Sequence, residues 1–208
     1  MTVAALVLYV MALVVLFGVR SWVQQRRTGS AGFHGISGTP ADAGWWGGAL
    51  FVAAIVLGLG GPLLAIAGVV PTDPPLALQG AGLAVAFAGF AATLAAQTGM
   101  GTSWRIGVDT GERTELVTAG VFAHVRNPVF TAMGVAQLGI VLTVPTWVGV
   151  LALAALVVAV QLQVRAVEEP YLRAVHGAAY DAYAATAGRF VPGLGRLPEA
   201  AGRPVGIS

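Results

Sequence analysis

Residues 129–164, VFTAMGVAQLGIVLTVPTWVGVLALAALVVAVQLQV, carry no charged side chain, and Val144-Pro145-Thr146 is the one turn signal within them. A helix needs about 20 apolar residues to cross a hydrocarbon core of about 30 Å. The stretch therefore predicts two antiparallel membrane helices, a short one at Val129–Val144 and a second at Thr146–Val164, joined by a tight turn.

Three further apolar stretches precede this hairpin: Met1–Val19, Trp45–Val70 and Leu76–Gln97. Gly60-Gly61-Pro62 predicts a kink or a break in the second, and the alanine-rich third has small residues that permit close helix packing. No basic residue precedes the first stretch, so we expect a retained helix and not a cleaved signal peptide. The predicted fold is an all-α integral membrane protein with five transmembrane helices.

Composition supports this fold class. The chain is 57% hydrophobic and 10% charged, whereas soluble domains carry about 25% charged residues. This excludes a soluble domain, a disordered chain and a nucleic-acid partner. Cysteine and lysine are both absent, which removes disulfides, thiolate chemistry, Schiff bases and P-loops; no metal site is predicted.

The arginines predict the orientation. All 11 fall in the first loop, the third loop or the C-terminal tail, and the two short turns on the other side have none. Arginine collects on the cytoplasmic side, so the expected topology is N-out, C-in, in a bacterial-type inner membrane. The arginines are Arg20, Arg26, Arg27, Arg105, Arg113, Arg126, Arg165, Arg173, Arg189, Arg196 and Arg203.

The predicted organisation has two regions. Residues 1–97 hold the first three spans and a cytoplasmic connector, residues 20–44, in which His34 is expected to be solvated. Residues 98–208 hold a cytoplasmic loop, the helical hairpin 128–165, and a C-terminal helix and tail that pack on the hairpin. Function is expected in the second region, where polar segments flank the hairpin on both sides.

The loop before the hairpin suggests an anion pocket. It contains a predicted turn, Asp109-Thr110-Gly111, and ends with Asn127 as a helix cap and Pro128 as the first helical residue. The helix N-terminus, Arg126 and His124 together favour an anion. The alternative is that Arg126 only anchors the chain to lipid headgroups.

The tail after the hairpin concentrates polar side chains on one predicted helical face, formed by Glu169, Arg173, His176, Tyr180 and Tyr183. An interfacial helix explains such a stripe. A binding site for an aromatic ring and an ammonium group explains it too, with Glu168 or Glu169 holding the cation. Interhelical hydrogen bonds account for most of the glutamines in the spans, which are Gln97, Gln137, Gln161 and Gln163, although Gln161 and Gln163 lie close enough to the cytoplasmic end to join a site.

The order of these motifs resembles the isoprenylcysteine carboxyl methyltransferase and phospholipid methyltransferase superfamily. The resemblance covers about residues 99–192. It departs from the family at three positions: this chain has Asn127 where the family has histidine, Phe130 where it has tyrosine, and His176 where it usually has phenylalanine. Its motifs here are Ser103-Trp104-Arg105-Ile106-Gly107, Leu116–Phe122, Arg126-Asn127-Pro128-Val129-Phe130, Glu168-Glu169, Gly177, Tyr180, Tyr183 and Arg189-Phe190-Val191-Pro192.

The resemblance implies S-adenosylmethionine as cofactor and a lipid-like acceptor, isoprenoid, prenylated or phospholipid-like, that is methylated at the cytoplasmic face. Arg126, Glu169 and Arg189 are then the expected catalytic residues. The expected cofactor-binding residues are Val121, Phe122, His124, Arg126, Asn127, Pro128, Glu168, Glu169, His176, Tyr180 and Tyr183.

The acceptor decides the remaining chemistry. A carboxylate acceptor needs no base and uses Arg126 or Arg189 for orientation, whereas an amine or hydroxyl needs a base such as His124, His176 or Glu169. Two other functions stay open from sequence: a non-enzymatic transport or assembly protein with this fold, and a nicotinamide-dependent lipid reductase.

Overall fold

The structure, a computed structural model, describes residues 1–31, 35–36, 38–103 and 115–198. The predictions for His34, for the turn at Asp109-Thr110-Gly111, for Trp104-Arg105-Ile106-Gly107 and for Arg113 and Arg203 lie outside these residues.

Within the described part the chain is helical, and no residue there belongs to a β-strand. Four helices are long and apolar enough to cross a membrane, namely α1, α2, α3 and α5, whereas the apolar α4 has 16 residues. The helices are α1 (Thr2–Thr28), α2 (Ala43–Ile66), α3 (Leu76–Gly99), α4 (Pro128–Thr143), α5 (Trp147–His176) and α6 (Ala178–Thr186). The all-helical, membrane-type fold class is confirmed, while the count of five spans and their orientation stay predictions.

Helix α1 is longer than its sequence predicts. We expected the first span to end at Val19 and a connector to start at residue 20, but the helix continues through a π-helical turn, Val14–Val19, to Thr28. Arg20 does not lie in a loop: it is buried, and its Nη2 donates a hydrogen bond of 2.9 Å to the backbone oxygen of Gln97. The helix ends where Gly29 adopts a φ of 77°.

Helix α2 corrects a second expectation. It passes through Gly60, Gly61 and Pro62 without a break and ends at Ile66 instead of Val70. Gly61 serves close packing, since a Cβ there would lie 2.9 Å from the Oγ1 of Thr146. Neighbouring helices let a membrane helix tolerate proline.

The predicted hairpin is confirmed as α4 and the first part of α5. Its turn is capped by Thr146, whose hydroxyl accepts a hydrogen bond of 3.1 Å from the backbone N–H of Gly149. Helix α5 continues past the predicted end of the span, through a π-helical turn at Gln163–Glu168, to His176. Gly177, at φ 52°, then separates α5 from α6, so a single helical stripe from Glu169 to Tyr183 was a wrong prediction.

Small residues bring the helices close together, as predicted for the third span. A Cβ on Gly89 of α3 would lie 2.5 Å from the backbone nitrogen of Ala136 in α4, and one on Gly139 would meet Ala86. Close approach of this kind is the usual way in which membrane helices associate. Helix α2 packs in turn on α5, where Gly47 faces Ala159 and Gln163.

These packings leave a space at one end of the bundle. The starts of α2 and α4 and the ends of α1, α3 and α5 meet there, and we refer to this as the site end. The polar segments before and after the hairpin were predicted to lie close together, and the site end is the place where that prediction has them meet.

Candidate functional site

A cavity of about 280 Å³ opens at the site end, near the size range typical of ligand pockets. Its walls come from all six helices and from the segments that precede α2 and α4. Apolar walls are supplied mainly by α2, α4 and α5, and carboxylates and phenols lie among them. Residues that line it include Phe17, Gly47, Phe51, Gln97, Glu115, Phe122, Asn127, Phe130, Met133, Gln163, Glu168, Tyr171, Tyr180 and Tyr183.

Arg126 is buried in the wall of this cavity and lies at the centre of a hydrogen-bond network. Its Nη1 donates to the backbone oxygens of Ala184, at 3.0 Å, and Ala187, at 2.6 Å. Its Nη2 donates to Gly195 O at 3.0 Å and to Glu169 Oε1 at 2.8 Å. Both terminal nitrogens are therefore bound by protein oxygens.

Glu169 is shared between two arginines. Besides the bond from Arg126, its Oε1 accepts one of 2.7 Å from Arg189 Nε, and its Oε2 accepts one of 2.9 Å from Arg189 Nη2. The bond to this carboxylate raises the pKa of Arg189 above its usual value. Paired forks of this type are strong and fix geometry, so Glu169 holds the chain before α4 and the chain after α6 together.

Backbone pairing reinforces the junction. Val125 and Gly188 form a parallel bridge, in which Arg126 N–H donates to Gly188 O at 2.8 Å and Gly188 N–H donates to His124 O at 3.0 Å. Asn127 N–H continues the pairing to Arg189 O at 3.1 Å.

Asn127 does not use its side chain as predicted. Helix α4 does begin at Pro128, but Asn127 makes no side-chain cap bond, and its Nδ2 donates to Arg189 O at 3.0 Å. The first N–H of α4 with a helical acceptor is that of Thr131, bonded to Asn127 O. The N–H groups of Val129 and Phe130, two residues that line the cavity, precede it and lie at the positive end of the helix.

Two tyrosines of α6 complete this side of the cavity. Tyr180 is 1% exposed, and the hydroxyl of Tyr183 donates a bond of 2.7 Å to Phe122 O. Their rings meet edge to face, with centroids 6.4 Å apart. Burial raises the pKa of each phenol to about 12, so both are neutral near pH 7.

The structure brings most, but not all, of the predicted site residues to the cavity. Phe122, Arg126, Asn127, Pro128, Glu168, Glu169, Tyr180 and Tyr183 line it. Val121 and His124 are exposed, Arg189 reaches it only through Glu169, and His176 is half-buried away from it.

Sequence reasoning missed the contribution of the first three helices. Phe17, Gly47 and Phe51 form one wall, and Gln97 forms another. The signal for Gln97 was present, as a polar residue at the end of an apolar span, but it was attributed to helix pairing. Glu115 gave no signal, since a single acid in a loop is ordinary.

Fold and cavity together define a helical membrane protein with a lipid-facing bundle and a polar site at one end. The family model for phospholipid methyltransferase matches residues 77–179, from the start of α3 to the start of α6. Through this region the chain belongs to that family, part of the isoprenylcysteine/phospholipid methyltransferase group of membrane proteins.

The predicted resemblance is thus confirmed, with a shift in extent, since the match begins earlier and ends before Tyr180, Tyr183 and Arg189. Membership implies a membrane methyltransferase that acts on lipid. A search of curated proteins and a search of solved structures gave no match.

Proposed function

We propose that this protein transfers a methyl group from S-adenosylmethionine to a lipophilic acceptor, isoprenoid, prenylated or phospholipid-like, at the cytoplasmic face of the membrane. The observation that carries the proposal is the cavity itself. Most of its lining residues lie in the region matched by the family, and they combine the apolar side chains of the hairpin, suited to a lipid chain, with polar groups such as Glu168.

The residues present fit the chemistry of the cofactor. The methionine end of S-adenosylmethionine carries an ammonium and a carboxylate, and its methyl group is bound to a cationic sulfur. Glu168 lines the cavity and is a carboxylate that suits the ammonium. The N–H groups of Val129 and Phe130 suit the carboxylate, and Phe122 and Tyr183 offer aromatic surface for adenine.

When bound, the cofactor supplies an electrophilic methyl group, which leaves its sulfur by in-line displacement. The protein then contributes mainly position: holding two reactants in line lowers the barrier without covalent chemistry. The apolar residues of the cavity, such as Phe51 and Phe130, exclude water and hold the acceptor chain.

Arg126, Glu169 and Arg189 act here as positioning residues. They bind one another and fix the chain around the cavity. We therefore assign them this role in place of the direct contact with the acceptor that was expected from the sequence. His124 and His176 do not line the cavity. The arrangement therefore favours an acceptor that needs no histidine base, such as a carboxylate; for an amine or hydroxyl acceptor, Glu168 is a carboxylate of the cavity wall that could serve as base.

The proposed topology keeps five spans with N-out and C-in. Helix α4 rises about 24 Å at 1.5 Å per residue, which is short for a core of about 30 Å. The residues before Pro128 pair with residues 188–189. The N-terminal end of this short helix therefore lies beside the polar site, where a lipid headgroup and a soluble cofactor meet.

Isothermal titration of the purified protein with S-adenosylmethionine and S-adenosylhomocysteine tests the proposal. We expect both to bind, and Glu168→Gln to weaken both about tenfold through loss of one charge-assisted contact. Asp73→Asn, at the opposite end of the bundle, is the matched control and should bind as the wild type does. Folded protein that binds neither compound contradicts the proposal.

The acceptor is then found by transfer of radiolabelled methyl groups to lipid extracts. Label that partitions into the lipid phase, and is lost in Glu168→Gln, supports a lipophilic acceptor. Label confined to water-soluble products contradicts it.

A further inference from the structure

Gln97 has an unused hydrogen-bonding group next to the cavity. It lies near the end of α3 with 3% of its surface exposed, and among the described residues its Oε1 has no hydrogen-bond partner. A buried amide oxygen without a partner destabilises the fold, so a native one calls for an explanation. Gln97 also lines the cavity, and the broad terminal torsion of glutamine lets its amide turn toward a ligand at small cost.

Arg20 restricts which part of a ligand can lie there. Its guanidinium is buried beside α3 and donates to the backbone oxygen of Gln97 at 2.9 Å. A buried cation repels a second positive charge strongly, because the surroundings screen it poorly. The ligand group at Gln97 is therefore not the ammonium or the sulfonium. Oε1 is an acceptor and needs a hydrogen-bond donor, which excludes the carboxylate as well and leaves a neutral donor.

The charged end of a ligand has its place on another wall. Glu168 lies on α5, which packs on α2 and α4, whereas Gln97 lies on α3, which packs on α4. The aromatic ring of Phe122, in contrast, lies near the end of α3, since a Cβ on Gly99 would be 3.6 Å from its Cε2. Gln97 and Phe122 both line the cavity, so a flat neutral ring bound beside Phe122 has its polar edge available to Gln97.

We propose that Gln97 recognises the adenine of S-adenosylmethionine, with Oε1 accepting a hydrogen bond from the N6 amine and Nε2 donating to N7. This inference rests on the proposed function and deepens it by naming the residue that selects the nucleoside. Glutamine recognises adenine through the same two bonds in nucleic acids. A site built to bind a polar group rejects the analogue that lacks it.

The test compares S-adenosylhomocysteine with S-inosylhomocysteine, in which a carbonyl oxygen replaces the N6 amine. Both are titrated into the purified full-length protein in detergent. We expect the wild type to prefer the adenosyl compound about tenfold or more, as the loss of one hydrogen bond predicts. Gln97→Ala should bind the adenosyl compound about tenfold more weakly, and it should bind the two compounds with nearly equal affinity.

Gln161→Ala is the matched control, since Gln161 accepts a bond from Arg165 at 2.7 Å outside the cavity; it should keep the wild-type preference. Gln97→Glu, which keeps an acceptor for N6 and loses the donor for N7, serves if Gln97→Ala does not fold. It should retain a reduced preference.

A wild type that binds both compounds equally, or a folded Gln97→Ala that keeps the preference, overturns the role of Gln97 and leaves the proposed function intact. A wild type that binds neither compound overturns both proposals.

Discussion

Nη2 of Arg126 lies 2.8 Å from Oε1 of Glu169, although 43 residues separate them along the chain. Arg126 lies two residues before the start of α4, and Glu169 lies near the end of α5, so their bond closes the hairpin at the site end. The remaining donors of Arg126 extend the closure to Ala184, Ala187 and Gly195. This cluster gives the cavity its polar wall.

Removing either partner of this pair should destabilise the protein. Arg126→Ala removes the side-chain donor that binds Glu169 and three backbone oxygens, and breaking a buried pair of this kind costs about 3–5 kcal/mol. Thermal unfolding in detergent should show a large fall in Tm for Arg126→Ala and for Glu169→Ala. The fall in Tm for the double variant should be much smaller than the sum of the two single falls.

Arg173→Ala is the matched control, because Arg173 forms an exposed pair with Asp181 at 2.7 Å; exposed pairs contribute little. A Tm for Arg126→Ala equal to that of Arg173→Ala would show that the pair does not hold the site together.

The hydroxyl of Tyr183 should stabilise the site in a pH-dependent way. Tyr183→Phe removes its bond to Phe122 O, and we expect a loss of about 0.5–1.5 kcal/mol near pH 7. Burial raises the pKa of Tyr183 from 10.0 to about 12. A group whose pKa is higher in the folded protein contributes its full stabilisation at a pH below its pKa in the unfolded chain. This stabilisation is lost as the pH rises toward the pKa in the folded protein.

Unfolding measured from pH 7 to 11 should therefore show a constant difference between Tyr183→Phe and wild type up to about pH 10. Above this pH the difference should shrink. Ionisation of Tyr183 stabilises the unfolded chain of the wild type and so lowers its free energy of unfolding, whereas Tyr183→Phe has no phenol at this position to ionise. A difference that grows above pH 10 contradicts the direction of the pKa change.

The contact between α3 and α4 should not accept even one methyl group. A Cβ on Gly139 meets the backbone of Ala86, whereas a Cβ on Gly134 of the same helix has nothing within 4 Å. We expect Gly139→Ala to cost about 1–3 kcal/mol through overpacking. Gly134→Ala should be neutral or slightly stabilising, because alanine favours the helix; equal unfolding temperatures for the two variants would exclude close packing at Gly139.

Single cysteines test the topology without interference, because the chain has none of its own. Val69, between α2 and α3, is 66% exposed, and Val191, after α6, is 48% exposed. With N-out and C-in, a membrane-impermeant maleimide added to spheroplasts should label Val69→Cys and not Val191→Cys. Lysed membranes, in which both should react, provide the control, and the reverse pattern in spheroplasts excludes the proposed orientation.

Some features of the site were predictable because they depend on local chemistry. Pro128 at the start of α4 and the turn before Trp147 follow from the φ restriction of proline and from capping by Thr146. The proximity of Arg126 and Glu169 also followed, since a hairpin brings the segments at its two ends to one side. The bonds that each residue makes there did not follow.

Asn127 and Gln97 show why partners were harder to predict than positions. Asn127 had the sequence signature of a cap, but the carbonyl of Arg189, 62 residues away, takes its amide. Gln97 was expected to pair with another helix, yet its Oε1 has no partner within the part of the chain that the structure describes. Each outcome depends on which backbone groups tertiary packing brings within 3 Å, and periodicity contains no such information.

The amino-acid sequence alone determined that this chain is an apolar helical bundle of the membrane, where its hairpin turns, and which family it belongs to. These properties follow from short-range rules of hydropathy, turn chemistry and motif order. Tertiary structure alone decided that α1 and α5 continue past their predicted ends, that Gly177 divides the C-terminal helix, and that two arginines saturate Glu169. A hydrogen bond across the fold outweighs local preference whenever a buried polar group has no other partner.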